Sequence, residues 1–105
     1  MSKYGLFGKF TVKEGERDSM VAILLEAAQS MNELDECEVY LVSASDTEPN
    51  SVFVYEEWKN EDAHQASLGL ESTQILIKQA KPIITGMERI STLKPMGGKS
   101  FQVKS

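Results

Sequence analysis

The stretch that decides the fold is Ser51-Val-Phe-Val-Tyr-Glu-Glu-Trp-Lys-Asn-Glu-Asp-Ala-His-Gln-Ala-Ser67. Residues 52–55 are β-branched or aromatic, a composition typical of a half-buried strand. Asn60 is a good helix N-cap, and the two acidic residues after it favour the positive end of a helix dipole. The stretch therefore predicts a strand that passes through Trp58 directly into a helix. The chain's only tryptophan and its only histidine, His64, lie at this junction.

Two strands and one helix are predicted from the residues before this stretch. Apolar and polar residues alternate over residues 4–12 and 37–44, the period of a strand. A helix between them begins at Asp18 or Ser19, and its apolar stripe recurs at helical spacing: Met20, Ile23, Leu24, Ala27, Ala28 and Met31. Residues 45–50 are turn formers, so we expect the strands on either side of them to form an antiparallel hairpin.

The residues after Asn60 complete the fold. The second helix is expected to break or kink near Leu68-Gly-Leu70 and to end or kink at Pro82, because glycine and proline disfavour helix interiors. Residues 87–93 form the fourth strand. The order βαββαβ is the ferredoxin-like split arrangement, an α+β fold. Right-handed crossovers place both helices on one face of a four-stranded antiparallel sheet.

Length and composition predict one globular domain, residues 1–98, followed by residues 99–105 as a flexible or partner-contacting tail. No apolar run approaches the ~20 residues of a membrane span, and the first residues have no signal-peptide pattern. We therefore expect a cytoplasmic protein without membrane contact. The net charge of −5 and the pI near 4.8 argue against a nucleic-acid partner.

No sequence motif requires a cofactor. The single cysteine, Cys37, excludes an internal disulfide and cannot hold a metal by itself. A nucleophile elbow, a phosphate loop, a metal-ligand cluster and a dinucleotide fingerprint are all missing. The prediction is a protein with no metal and no cofactor.

The sheet face away from the helices is predicted to be apolar. Strand parity places Phe7, Phe53 and Tyr55 there, and Tyr40 is interpreted in the same way. A patch of this size is uncommon on a monomer, and two sheets packed face to face in a two-fold dimer would bury it. We therefore expect a homodimer with Phe7, Phe53 and Tyr55 in the interface.

The run from Val52 to Ala63 resembles the hallmark segment of the antibiotic biosynthesis monooxygenase family: an aliphatic-aromatic strand ending in Tyr-Glu-x-Trp, an acidic turn, and a helix with alanine. Lys13-Glu-Gly15, Cys37 and Leu93-Lys-Pro95 also fit the family. The resemblance implies a dimeric α+β barrel. It further implies oxidation of electron-rich aromatic compounds or quinols with O2, without metal or flavin.

The histidines of many family members are absent here. Their positions are held by Ser67 and Ser72, and His64 lies three residues before the first of them. The positions that carry the functional residues of the haem-degrading branch hold Gly8, Ser67 and Ile77, so the resemblance gives haem degradation little support.

Three residues near the junction are candidates for chemistry. His64 is either the catalytic general base, since imidazole exchanges protons near neutral pH, or a solvent-facing helix residue. Trp58 either lines a substrate pocket or anchors the core. Glu56 either contacts the substrate or forms a structural salt bridge, for which Arg89 or a helix N-terminus is the expected partner.

Three further side chains complete the predicted substrate-binding set. Arg89 either clamps an anionic substrate group or pairs with a carboxylate. Ser67 and Ser72 either hydrogen-bond a ligand or are ordinary surface serines.

The function predicted from these features is a cofactor-independent monooxygenase that oxidises an aromatic or quinol-like small molecule with O2. Two alternatives share the same architecture. One is a non-catalytic module that binds a small molecule, and the other is an isomerase of small carbonyl compounds.

Overall fold

The computed structural model describes residues 3–99, so the predicted tail, apart from Lys99, lies outside the described residues. The described chain forms, in order, β1 Tyr4–Val12, α1 Arg17–Met31, β2 Cys37–Ala44, β3 Ser51–Trp58, α2 Glu61–Ser67, α3 Glu71–Ala80 and β4 Ile84–Leu93. The predicted break in the second helix is confirmed, because α2 ends before Gly69 and α3 begins after it.

The four strands form one antiparallel sheet in the order β2-β3-β1-β4. β1 pairs with β3 from Tyr4 opposite Trp58 to Thr11 opposite Ser51, so the first strand of the chain lies inside the sheet. This arrangement confirms the predicted ferredoxin-like α+β fold. The dimeric barrel involves a second copy of the chain and stays a prediction.

The helix-facing side chains of β3 form the centre of the core. A first cluster joins them to α1 and α3 and consists of Val12, Met20, Leu24, Val52, Val54 and Ala80. A second cluster, around the end of β3, consists of Met31, Trp58 and Ala63. Full burial of a large apolar side chain stabilises a fold by about 1.5–3 kcal/mol. These contacts fix the helices over β3.

The first helix begins at Arg17, and its N-cap residue is Glu16, which makes no capping bond with its side chain. The predicted cap at Asp18 or Ser19 is therefore wrong. Gly15 has φ of 83°, a conformation that glycine adopts without strain, and it turns the chain into the helix earlier than the apolar stripe indicates. Asp18 lies in the first turn instead, where its charge favours the helix dipole.

Tyr40 lies on the helix-facing side of the sheet, and its predicted place in the dimer interface is wrong. It pairs with Glu56, which shares the parity of Trp58. The register of β2 shifts between Cys37, opposite Trp58, and Val39, opposite Glu57. This irregularity turns Cys37 towards the cluster around Trp58 as well.

The last strand begins at Ile84, three residues before the predicted start. Ile84 pairs with Val12, and the Lys13 N–H donates to the Ile83 carbonyl oxygen over 2.9 Å, so pairing with β1 extends the strand. β4 is an edge strand. Its helix-facing residue Met87 is 71% exposed, which leaves this side of the helix-sheet layer open.

Candidate active site

A cavity of about 490 Å³ lies between the sheet and the three helices. Most of its wall is apolar and comes from α1 and α3, including Leu24, Ala27, Leu76 and Ala80. The hydroxyl, imidazole, carboxylate and ammonium groups along it belong to Tyr40, Glu56, His64, Ser67, Thr73 and Lys81. An apolar cavity with a few polar groups is the usual form of a small-molecule site.

A larger groove of about 1030 Å³ crosses α1 and β2. Its lining includes the charged or amide side chains of Lys3, Asn32, Asp35 and Lys59, and most of these are exposed. Because water already satisfies such groups, this groove is the weaker candidate.

Strand β3 brings Glu56 and Trp58 to the same side of the sheet, since side chains two apart share a face. Trp58 is 1% exposed and belongs to the core, as expected for a buried aromatic anchor. Its indole Nε1–H donates to Glu56 Oε1 over 2.9 Å. Trp58 therefore fills the core and also fixes the carboxylate, while its ring reaches the cavity.

Helix α2 brings His64 over these two residues. The Asn60 side chain accepts a hydrogen bond from the Ala63 N–H over 2.8 Å, which confirms the predicted cap and sets where the helix begins. His64 is 4% exposed, so the solvent-facing alternative is wrong. Its Nε2 lies 3.8 Å from Glu56 Oε1, and its ring meets the Trp58 ring edge-on at 5.6 Å.

Burial acts in opposite directions on the acid and the base. It raises the pKa of Glu56, although the hydrogen bond from Trp58 and the positive charge of Arg89 both lower it. Burial lowers the pKa of His64, and Arg89 acts in the same direction, while Glu61 opposes it. The two pKa values therefore move towards each other.

The two serines of the predicted set have different surroundings. Ser67 is buried at the cavity wall, and its Oγ donates to the His64 carbonyl oxygen over 2.7 Å. Ser72 is exposed in the first turn of α3 and is not part of the cavity wall. The break between α2 and α3 starts a new helix, so the spacing of one continuous helix does not apply to Ser72.

Arg89 lies in β4 opposite Gly8 and is exposed. Within residues 3–99 it has no ion pair at 4.0 Å or less, and the expected salt bridge with Glu56 does not form. Glu56 instead accepts a hydrogen bond from the Trp58 indole. Arg89 acts on Glu56 and His64 through its longer-range charge.

The three predicted interface residues lie together on the other face of the sheet. Phe7 and Phe53 stack with their ring centroids 5.8 Å apart, and Tyr55 lies opposite Phe7 in the paired strand. Lys9 Nζ lies 5.9 Å above the Phe53 ring. The structure thus groups these rings, while their burial by a second copy stays a prediction.

Two polar residues near the cavity were missed by the sequence analysis. Tyr4 lies opposite Trp58, and its ring centroid is 5.6 Å from that of His64. Thr73 comes from α3. Both hydroxyls are buried and have no hydrogen-bond partner within the described residues. Only the strand register and the start of α3 place them here, and neither can be read from residue spacing.

Residues 3–99 lack two features that would indicate other classes of protein. No three His, Cys, Asp or Glu side chains come together there in a way that could hold a metal ion. No helix in that range has the length and apolar character needed to cross a bilayer.

A mostly apolar cavity with a carboxylate and an imidazole at its wall, set on a ferredoxin-like sheet, defines the class as a small α+β protein with the usual form of a small-molecule site. The chain belongs to the antibiotic biosynthesis monooxygenase family, whose family model matches residues 4–76. The predicted family resemblance is thereby confirmed.

Solved structures agree with this assignment. The chain is 35% identical to a protein from Chloroflexus aurantiacus J-10-fl, provisionally named an antibiotic biosynthesis monooxygenase; the match covers 96% of this chain and 100% of that chain, with a TM-score of 0.86. Proteins with the same provisional name from Caulobacter crescentus CB15 (19% identity, coverage 91% and 92%, TM-score 0.80) and Deinococcus radiodurans (20%, coverage 97% and 99%, TM-score 0.74) show the same fold. No curated protein matches the chain.

Proposed function

We propose that this protein is a cofactor-independent monooxygenase that oxidises an aromatic or quinol-like small molecule with O2. Membership of the family supports a function of this general type. The observation that carries the proposal is the position of His64, buried at the wall of an apolar cavity with Nε2 beside the carboxylate of Glu56.

The cavity suits a flat aromatic ring with a hydroxyl group. Its volume of about 490 Å³ falls in the usual range for small-molecule sites, and its aliphatic walls favour an apolar ring system. The polar groups of Glu56 and His64 provide the place for a hydroxyl. The Trp58 indole donates a hydrogen bond to Glu56, and the Ser67 hydroxyl donates one to the His64 carbonyl oxygen. The positive charge of Arg89 favours negative charge on the bound molecule.

His64 acts as the general base in this proposal. Because burial lowers the pKa of His64, the imidazole is neutral at physiological pH and can accept the proton of a phenol. The phenolate transfers an electron to O2, and a carbon–oxygen bond forms at an activated ring C–H position. Loss of water then leaves a quinone. One oxygen atom of O2 enters the product and the other leaves in water, so a phenol and O2 give a quinone and water.

The active unit in this proposal is a homodimer. Phe7, Phe53 and Tyr55 form one apolar surface on the sheet face away from the cavity, and β-sheet packing between two copies would cover it. The cavity lies on the opposite face, so dimer formation leaves it within each protomer.

Oxygen consumption with a panel of dihydroxynaphthalenes and simpler phenols tests the proposal. We expect one O2 consumed per quinone formed, and mass spectrometry with labelled O2 should find one labelled atom in the product. Ligand-induced thermal stabilisation without oxygen consumption would contradict catalysis and favour a binding module. Turnover of a carbonyl compound without O2 would favour an isomerase.

A further inference from the structure

The acid and the base in the cavity are held close together, yet they do not bond to each other. His64 Nε2 and Glu56 Oε1 are 3.8 Å apart, which exceeds the range of a protein hydrogen bond. The same Oε1 accepts the hydrogen bond from Trp58 Nε1 over 2.9 Å, so its position is fixed. The space beside these two atoms opens into the cavity, since both residues line it.

We propose that one hydroxyl group of the ligand fills this space and bonds to Glu56 and His64 at the same time, while Trp58 holds Glu56 in place. The proposal rests on the proposed function only in taking the ligand to be a phenol. It assigns Glu56 a direct contact with the hydroxyl and Trp58 the role of a positioning residue.

The distances allow such a bridge. An oxygen atom about 2.8 Å from each of the two atoms lies roughly 2 Å to one side of the line between them, a usual hydrogen-bond geometry. A hydroxyl donates one hydrogen bond and accepts others. It can therefore donate to the Glu56 carboxylate and accept from an imidazole N–H, or donate to the imidazole when Glu56 carries the proton.

The hydrogen-bonding capacity of the site points independently to a missing partner. Glu56 receives a single hydrogen bond from the described residues, although a carboxylate accepts about four. His64 Nδ1 is buried and has no partner within residues 3–99, and the hydroxyl of Thr73 on the cavity wall has none either. Buried polar groups in folded proteins are nearly always hydrogen-bonded. A ligand hydroxyl between Oε1 and Nε2 would supply a further hydrogen bond to the Glu56 carboxylate, while Nδ1 is not part of this bridge.

The electrostatics of the site suit a shared proton. Burial raises the pKa of Glu56 and lowers the pKa of His64, so the cost of moving a proton between them through a bridging hydroxyl is reduced. Arg89 favours the carboxylate and disfavours the imidazolium, and Glu61 acts on His64 in the opposite sense.

Two further titratable groups, Tyr40 and Cys37, lie near Glu56. Burial and the charge of Glu56 raise the pKa of Tyr40, and they raise that of Cys37 to about 12. Both groups therefore stay protonated near neutral pH and do not compete for the proton of the ligand.

Binding of a matched pair of probes tests the bridge without any turnover. α-Naphthol and its methyl ether have the same ring system, and only the former can donate a hydrogen bond. By isothermal titration calorimetry we expect the protein to prefer naphthol by about tenfold or more, because a site built for a hydroxyl rejects an analogue that lacks the hydrogen. Glu56→Met, which keeps the chain length and removes the carboxylate, should reduce the preference to about twofold or less.

Glu57→Met is the matched control, because Glu57 is the next residue and points to the opposite face of the sheet. It should keep the full preference. Equal affinity of the wild-type protein for both probes, a preference that survives in Glu56→Met, or no binding of naphthol at millimolar concentration would each overturn the proposal.

Nuclear magnetic resonance of the imidazole gives a second readout that needs no variant. The chain contains one histidine, so the labelled ring nitrogens of His64 give unambiguous signals. Naphthol should shift the Nε2 signal strongly and its methyl ether should not; equal shifts would overturn the proposal. If the preference and the shift are found but no oxygen is consumed, the bridge stands and the monooxygenase proposal fails.

Discussion

The two faces of β3 carry the same kind of hydrogen bond in opposite surroundings. On one face, the Trp58 indole donates to Glu56 over 2.9 Å, and on the other, the Tyr55 hydroxyl donates to Glu57 over 2.8 Å. In both cases an aromatic residue bonds to a glutamate two positions away. The first pair lies under the helices, and the second lies on the face that helices do not cover.

The difference shows that the pKa and the neighbours of each glutamate depend on whether helices cover its face of the sheet, and not on the residue types. The Glu56 side chain is 16% exposed, its partial burial raises its pKa, and it lies 3.8 Å from the imidazole of His64. Glu57 serves as the hydrogen-bond acceptor of Tyr55, whose pKa rises to about 12 through burial and this bond. The covered face therefore holds the candidate site, and we expect the uncovered face to hold the dimer contact.

The largest expected effect concerns the anchor of the covered face. Trp58→Ala should lower the free energy of unfolding by about 3–5 kcal/mol, the usual cost of truncating a buried aromatic side chain. Tyr55→Phe should cost far less in the same urea denaturation experiment, because it keeps the ring in the proposed interface and loses only the hydroxyl that donates to Glu57. Equal costs for the two variants would remove the contrast between the faces.

Loss of His64, the proposed base on the covered face, should lower turnover. His64→Ala should lower the turnover of a phenolic substrate by about 10²-fold, the common scale for loss of a general base. In the wild-type protein, turnover should fall with decreasing pH at an inflection below 6.5, because burial lowers the pKa of His64, and the variant should lack this inflection.

Gln65→Ala is a suitable control for this variant, because Gln65 is the next residue of α2 and is exposed. It should keep wild-type turnover and the inflection. Wild-type rates in His64→Ala would show that the shape of the cavity, and not the imidazole, supports any oxidation.

A charge on the uncovered face should disrupt assembly without changing the cavity. We expect light scattering to show a dimer for the wild-type protein, with an interface of more than ~1,200 Å². Phe53→Lys should be monomeric at micromolar concentration, because a lysine between two sheets lacks a partner for its charge. A wild-type monomer at micromolar concentration would refute the dimer.

The smallest expected effect is a pH dependence of stability that distinguishes the two glutamates. The pKa of Glu56 is raised above 4.5 in the folded state, so between 4.5 and the raised value the folded protein binds more protons than the unfolded chain. The contribution of Glu56 to stability therefore falls with increasing pH across this window, while the lowered pKa of His64 contributes in the opposite sense below 6.5. Glu56→Gln should remove this fall, whereas Glu57→Gln should keep it, as followed by thermal unfolding at several pH values.

The sequence alone identified the elements, because hydrophobic period and turn residues are local properties. The strand that runs through Trp58, the cap at Asn60 and the helix break near Gly69 are predicted from the sequence and confirmed. The predicted start of α1 is wrong because the conformation of a single residue, Gly15, decides where the helix begins. The predicted start of β4 is wrong because pairing with β1 extends the strand beyond the residues that its sequence pattern indicates.

The sequence by itself thus determined that Trp58 and Glu56 share one face of a strand and that His64 follows within the next helix. Only the tertiary structure decided that His64 points inward and that the indole, and not Arg89, bonds to Glu56. It also decided that Tyr4 and Thr73 reach the site and that Ser72 does not. The physical reason is that side-chain parity is set along one element, whereas helix rotation, strand register and burial depend on contacts between residues far apart in the chain.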